Sequence, residues 1–343
     1  MLIATWIVRW SGFVALAGLI GGFVVDLLVL PVAAQTAGPR RRLRAWRLGG
    51  TVLLLVVTAA EWWLRAATMS GGGPGVALRA MPAVLAHTHF GTVWIGRAVV
   101  LLALLALASA SRRGWQGLGL LAALGVALSV SLTGHASDWG DLAPTAGIDW
   151  VHVVAATTWT GGLLVLVAVV VREVGRWPVS LLADVMRRFS RLAAWCLLAV
   201  VLSGAYASWV QVGGLTALRH TVYGRALIVK VALVLGLAWW GAVNRYTVLP
   251  RLAATGRTSA LERLFRRGRT ALAGPPEIAP AAVPSRLAVY LGREVMLALL
   301  VFACTAILTE STPARHAHHQ GAHAPMAEHA GHTVAGARAP LSR

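Results

Sequence analysis

Residues 3–47 read IATWIVRWSGFVALAGLIGGFVVDLLVLPVAAQTAGPRRRLRAWR, and this stretch decides the fold class. Residues 3–30 are almost wholly apolar, and a membrane-crossing helix needs about 20 such residues. Five arginines follow at once, at positions 40, 41, 42, 44 and 47. Residues 32–35 (VAAQ) resemble a signal-peptide cleavage site, but the apolar run is longer than the roughly 7–15 residues of a secretory signal. We therefore interpret residues 3–30 as a retained membrane span.

The rest of the chain repeats this pattern. The 343 residues are 57% hydrophobic and only 13% charged, with a mean hydropathy of +0.70, whereas soluble domains carry about 25% charged residues. Such a composition indicates apolar surface that faces lipid. Eight runs are long enough to cross a bilayer: residues 3–30, 48–68, 90–110, 116–134, 148–171, 190–212, 224–249 and 287–309. We therefore predict an all-α, polytopic membrane helix bundle with about eight transmembrane helices.

Arginine is unevenly distributed among the connections between these runs. The net charge is +19, and the arginines concentrate in the connections 31–47, 111–115, 172–191 and 245–286. Short loops rich in basic residues stay in the cytoplasm, so the pattern predicts that both termini lie in the bacterial periplasm. Within the last connection, we expect residues 259–272 to form a basic amphipathic helix on anionic membrane lipid. A nucleic-acid partner is excluded, because no basic stripe with interleaved aromatic residues occurs.

Several ionisable residues lie inside the apolar runs, where each charge needs a partner or a function. Glu61 is about 10 Å deep in the second run, and Arg65, one helical turn away, is its expected partner. Asp26 stands alone near the inner end of the first run. Lys230 is too deep to reach water, so we expect it to contact Glu61, a backbone carbonyl or an anionic lipid. The other polar residues that we group with these, inside the runs or at their ends, are Arg97, Asp149, Trp159, Tyr223, Arg225 and Asn244.

Two interpretations of this set stay open. The first is a network of paired groups that fixes helix packing, since buried charges are usually paired. The second is a polar pathway that carries an ion across the membrane.

The histidines outside the C-terminal region all lie, by this topology, at the outer ends of runs. The candidate metal ligands among these rim positions are Met81, His87, His89, His135 and His152. His152 shares a helix face with Asp149, one turn before it, and with Trp159, two turns after it, so Asp149 is placed to orient His152. Imidazole binds both oxidation states of copper and a thioether favours the cuprous one. As a group these residues indicate copper, whereas for any one histidine alone a capping or interfacial role is the plainer interpretation.

Residues 311–343 form a second region. This tail lacks apolar periodicity and holds six of the eleven histidines, so we expect it to be disordered without metal. Its candidate ligands are His316, His318, His319, His323, Met326, His329 and His332. The small residues between them let the tail wrap an ion without imposing geometry, so zinc and nickel would bind as well as copper. The chain thus divides into a transmembrane bundle, residues 1–310, and a periplasmic tail, residues 311–343.

Several motifs resemble the copper resistance protein D (CopD) family. They are LTGH (132–135), DWVHVVAATTWTGG (149–162), RFSRLA (188–193), LSGAY (202–206), TVYGRALIVK (221–230) and NRYTVLPR (244–251). The resemblance extends over roughly residues 85–310 and is tightest over 186–251. It implies a CopD-like core at about residues 186–310.

This resemblance also implies a function and a site. Members of the family are inner-membrane proteins of copper homeostasis that often act beside a small periplasmic copper-binding protein of the CopC type. By analogy, the site region would contain His135, His152 and Trp159. A signature around the seventh run would consist of Tyr223, Gly224, Arg225, Lys230 and Asn244. The ion handled would be copper, as Cu(I) or Cu(II).

We therefore hypothesise that this chain is not an enzyme but a copper-homeostasis protein that binds copper at the periplasmic face and moves it towards the cytoplasm. No G-x-x-x-x-G-K-[ST] motif occurs, so a gradient, a partner or cytoplasmic copper-binding molecules must drive any transport. The alternative is a haem-b membrane protein that passes electrons or reduces cupric ion, with His135 and His152 as haem ligands.

A visible absorption spectrum of the purified protein separates these two hypotheses. The copper-transport hypothesis predicts no Soret band, because the chain then carries no haem. A Soret band with b-type features in protein that was purified without added haem would instead support the electron-transfer alternative.

Overall fold

The structure, a computed structural model, describes residues 1–134, 140–141, 143–212, 215–248 and 282–311. Its α-helices are α1 (Leu2–Val24), α2 (Ala37–Ser70), α3 (Pro74–His87), α4 (His89–Ala108), α5 (Arg113–Ser131), α6 (Pro144–Val165), α7 (Val179–Val212), α8 (Leu215–His220), α9 (Val222–Val243) and α10 (Ala282–Glu310). Short π-helical turns extend α1, α6 and α9. The described residues contain no β-strand, so the predicted all-α class is confirmed. His135, the tail and the helix expected over residues 259–272 lie outside the described residues.

Eight helices in the described parts of the chain are long and apolar enough to cross a membrane. With their extensions they are Leu2–Val29, Ala37–Ser70, His89–Ala108, Arg113–Ser131, Pro144–Glu173, Val179–Gln211, Val222–Tyr246 and Ala288–Glu310. Each coincides with one predicted run, so the number of spans is confirmed. The short helices α3 and α8 connect spans. They lie at the end of the bundle that the arginine pattern predicts to be periplasmic, which we refer to as the outer end; the opposite end is the inner end.

The second and sixth spans begin earlier than their apolar runs. The arginine-rich segments before these runs, which the sequence analysis predicts as connections, are helical from Ala37 and from Val179. Arginine is a good helix former, and Arg47 turns into the bundle instead of facing water. Its guanidinium donates to Asp26 Oδ2 at 2.6 Å, and Gln116 Nε2 donates to the same oxygen at 3.0 Å. The prediction that Asp26 stands alone is therefore wrong, because α2 and α5 supply its partners.

Helix α3 is an additional element that the sequence analysis treats as part of a connection. It begins at Pro74, in the first turn, where the missing N–H removes no helical hydrogen bond. Val84 on α3 packs against Phe90 on α4. The Trp62 indole on α2 donates to the Met81 carbonyl oxygen at 3.0 Å. These contacts hold α3 against the outer end of the bundle.

Helix α1 is the central helix of the bundle. In the apolar 18-residue part of the first span, 78% of the residues are buried. The corresponding share for the seventh span, which begins with α9, is 6%. Its closest approach is to α6. A Cβ built on Gly21 would overlap the backbone of Gly161, and one built on Gly161 would overlap the carbonyl oxygen of Ala17. Since only glycine fits at both positions, the backbones of α1 and α6 contact each other directly at this crossing.

Replacement of Gly161 tests the crossing. Gly161→Ala should lower stability because the added methyl group overlaps the backbone of α1, and overpacking a buried site costs about 1–3 kcal/mol or occasionally more. Gly147→Ala on the same helix is the matched control, since no heavy atom lies within 4 Å of a Cβ built there. Thermal unfolding in detergent measures both variants. Equal unfolding midpoints for the two would contradict the described contact.

Candidate functional site

The outer-rim candidates His87 and His89 lie where α3 ends and α4 begins. Both side chains are exposed, and the Thr88 hydroxyl between them accepts a hydrogen bond from the Gly91 N–H at 3.0 Å and so caps α4. His89 Nε2 lies 2.7 Å from Asp141 Oδ2. The Met81 side chain packs against the apolar cluster beneath α3. Water therefore reaches both imidazoles, while the Met81 thioether is partly enclosed.

The described residues contain no group of three or more His, Cys, Asp and Glu side chains placed to hold a metal ion. The structure therefore does not join His87, His89 and His152 into one cluster. His135 and the seven candidate ligands of the tail lie outside the described residues. The part of the candidate site that the structure does describe is centred on His152.

The His152 ring is held by α7. Its Nδ1 lies 2.9 Å from Ser203 Oγ. The Ser203 hydroxyl donates its hydrogen to the Ala199 carbonyl at 2.5 Å, so the imidazole must be the donor in the contact with Ser203, and Nε2 keeps a free lone pair. Gly204 leaves room for the ring, since a Cβ there would lie 3.3 Å from its Cε1 atom. Asp149, the predicted orienting partner, does not fill this role, because the packing of α6 on α7 places Ser203 beside Nδ1.

His152 lines a cavity of about 60 Å3 between α1, α6, α7, α9 and α10. We refer to this as the outer cavity. Its wall is mostly apolar, and its polar or ionisable lining residues include Lys230 on α9 and Thr305 on α10. Trp159, which is only 6% exposed, lines the cavity on the inner side of His152. The predicted shared face of His152 and Trp159 is therefore confirmed.

Lys230 interacts with Asp149. The Asp149 carboxylate on α6 acts on its ammonium group through a longer-range Coulombic attraction, without forming an ion pair or a hydrogen bond with it. Asp149 is not among the partners predicted for Lys230, because the attraction depends on how α6 and α9 pack. The positive charge of Lys230 also acts on His152. Lys230 lines the outer cavity, whereas Asp149 is not among its lining residues.

A separate ionic network joins four helices at the outer end. Glu61 on α2 accepts from Arg97 on α4 at 2.6 Å and from Arg9 on α1 at 3.2 Å. Arg9 also donates to Glu310 on α10 at 2.9 Å. Every carboxylate oxygen of Glu61 thus has a guanidinium partner. This saturation favours the packing interpretation of Glu61 and Arg97 over the pathway interpretation, because no lone charge is left for an ion to neutralise.

The predicted pair of Glu61 with Arg65 is wrong. The Arg65 guanidinium lies 5.3 Å from the centroid of the Phe90 ring instead, a distance at which a cation is attracted to an aromatic face. The carboxylate faces α1 and α4, whose arginines approach it from inside the bundle. Sequence spacing shows only the partner on the same helix.

The signature residues of the seventh span are divided between its two ends. At the outer end, the Tyr223 hydroxyl donates to Gln211 Oε1 on α7, and the Gly224 N–H donates to the Thr221 hydroxyl at 3.0 Å. The Arg225 side chain is exposed there. At the inner end, Asn244 Nδ2 donates to Glu294 Oε1 on α10 at 3.3 Å. The outer residues thus hold the start of α9, while Asn244 contacts a buried acid.

That acid lines a second, larger cavity of about 210 Å3 between α6, α7, α9 and α10. We refer to it as the inner cavity. Glu294 is 4% exposed and Met186 is 6% exposed, and both line it together with Trp159. Sequence reasoning missed Glu294, Met186 and Ser203. The sequence does contain a signal for Glu294, because it is an acidic residue inside the eighth apolar run, as Glu61 is in the second.

Comparison with known proteins places the chain among copper-resistance proteins. Residues 183–308 match the family described as Copper resistance protein D, and residues 1–143 match Copper resistance protein D-like, N-terminal domain. The Copper transport protein CutJ of Bacillus subtilis is 26% identical over 279 residues, which cover 76% of this chain and 51% of that protein. The Inner membrane protein YebZ of Escherichia coli is 26% identical over 168 residues, which cover 48% of this chain and 57% of that protein. No solved structure matches the chain.

The chain therefore spans about half the length of the curated relatives it matches. Lys230, Asn244 and Glu294 fall inside the second family match, whereas His152 and Trp159 lie between the two matches. The two matches together cover the N-terminal and C-terminal parts of the membrane-spanning region. The resemblance to this family that the motifs indicate is therefore confirmed. The chain is a multi-pass membrane protein that belongs to the copper resistance protein D family.

Proposed function

We propose that this protein is an inner-membrane copper transport and homeostasis protein, not an enzyme, that binds copper at the periplasmic face and moves it towards the cytoplasm. Family membership and the name of the relative CutJ support copper as the ion. One structural observation carries the site: the His152 imidazole lines a cavity inside the bundle, and its hydrogen bond to Ser203 leaves Nε2 free to bind a metal. Copper is the cargo in this proposal.

The tail and the outer rim would deliver the ion to His152. Imidazoles separated by small residues exchange copper readily, because they impose no fixed geometry on the ion. His87 and His89 are exposed at the same predicted periplasmic end, so they are accessible to the tail or to a CopC-type partner. Transfer by ligand exchange then leads from exposed imidazoles to His152. The topology with both termini in the periplasm is part of this proposal.

The fixed tautomer of His152 suits this role. A neutral imidazole binds a metal through whichever nitrogen lacks the proton, and the hydrogen bond of the other nitrogen orients the ring. Ser203 on α7 supplies that bond. The described residues that line the outer cavity include Lys230 but no acidic side chain. A cation there would be bound by coordination and not by charge neutralisation.

Replacement of His152 tests the proposal. His152→Ala should lower copper uptake into proteoliposomes of known orientation roughly 10-fold or more, since loss of even an outer-shell partner of a metal ligand costs about 10- to 100-fold in affinity or activity. His220→Ala is the matched control, because His220 is an exposed histidine of α8 that is outside the proposed site. Both variants are compared at equal amounts of folded protein. Equal uptake by the two would contradict an intramembrane site at His152.

Deletion of residues 314–332 tests the role of the tail. We expect fewer copper ions bound per protein at the periplasmic face, but continued uptake at high copper concentration, because in this proposal the tail only collects the ion for the site at His152. Equilibrium dialysis measures the bound copper, and the uptake assay measures transport. Complete loss of uptake at saturating copper would show instead that the tail is part of the transport site.

A further inference from the structure

Glu294 differs from the other buried acids of the described bundle. Asp26 and Glu173 pair with arginine, as does the partly buried Glu61. By contrast, the only hydrogen-bond or ion-pair partner of Glu294 among the described residues is the neutral Asn244 amide, at 3.3 Å. The residue is 4% exposed and lines the inner cavity. A carboxylate that is buried without a positive charge is costly. A cation bound in the cavity would remove that cost.

The inner cavity offers this carboxylate a suitable set of neighbours. Met186 on α7, Asn244 on α9 and Glu294 on α10 come from three helices and line the same space. Arg245 also lines the cavity, but its guanidinium donates to the Ser190 carbonyl at 3.2 Å and forms no ion pair with Glu294. The cavity therefore combines one carboxylate, one thioether, one amide and the guanidinium of Arg245 with an otherwise largely apolar wall.

The two cavities lie one beyond the other along the bundle, and Trp159 lines both. Trp159 follows His152 by seven residues on α6, which is about 10 Å along a helix axis. Glu294 precedes Thr305, which lines the outer cavity, by eleven residues on α10, or about 16 Å. The indole therefore separates an outer space that contains His152 from an inner space that contains Glu294.

We propose that Glu294, Met186 and Asn244 form a second cuprous-ion site, reached from the His152 site past the Trp159 indole. A thioether ligand favours Cu(I) over Cu(II). Charge favours it too: one carboxylate neutralises one monovalent cation, whereas Cu(II) would leave a buried positive charge. Glu294 and Met186 are the direct ligands, and Asn244 positions the carboxylate. This inference rests on the proposed copper-transport function.

Cu(I) binding and copper uptake together test the second site. In the full chain, Glu294→Gln should remove one equivalent of Cu(I) in a titration against a Cu(I)-specific chelator under reducing conditions, and should lower proteoliposome uptake roughly 10-fold or more. Glu310→Gln is the matched control: it makes the same change on the same helix, in the outer network, and should keep that equivalent. Met186→Leu conserves volume, so it should preserve folding while it weakens Cu(I) binding at this site.

The results separate the failure of this site from the failure of the proposed function. Wild-type uptake that depends on His152 but is unchanged in Glu294→Gln and Met186→Leu would overturn the second site alone. Loss of uptake in Glu294→Gln with an unchanged Cu(I) stoichiometry would also overturn it, in favour of a proton-binding carboxyl group. If the wild type moves no copper, the transport function fails, and the Cu(I) stoichiometries of the variants still decide whether the site exists.

Discussion

The direct backbone contact between α1 and α6 at Gly21 and Gly161 is the constraint on which the candidate site depends. A bilayer offers no hydrophobic drive between apolar helices, so close packing through small residues has to hold them together. Gly162, the next residue, abuts the Phe189 ring on α7. Helix α6 is thus held on one side by α1 and on the other by α7. Trp159, two residues before Gly161, takes its position from these two contacts.

The same packing determines the chemistry of His152. The α6–α7 contact that begins at Gly162 and Phe189 continues outwards to His152 and Ser203. Because Ser203 also donates to its own helix, the imidazole has only one tautomer that satisfies both hydrogen bonds. Helix packing, and not a neighbouring acid, therefore leaves Nε2 of His152 able to bind a metal. Asp149, which the spacing predicts as the orienting group, is not the hydrogen-bond partner of the His152 ring; Ser203 is.

The spans were predictable from the sequence, and the pairings inside the bundle were not. A span requires only about 20 apolar residues in a row, which is a local property, so the eight runs coincide with the eight helices. The partners of Glu61 and Asp26 come from other helices, and sequence spacing reveals only partners on the same helix, such as Arg65. Glu294 differs again: an acidic residue is evident in the eighth run, but that it forms no ion pair with arginine follows only from the packing of α6, α7, α9 and α10.

In this bundle, an acid that pairs with arginine holds helices together, whereas a buried acid without an arginine partner is a candidate for ion binding. Glu61 and Asp26 are each bound by arginine, so they join helices and attract nothing further. Glu294 has only an amide, and a cavity lies beside it. From the outer to the inner cavity, the basic and acidic lining residues change from His152 and Lys230 to Arg245 and Glu294. On the proposed path, the Glu294 carboxylate would attract a monovalent cation that leaves the His152 site. If copper follows the proposed path, it has to be released from Glu294 to a stronger ligand on the inner side.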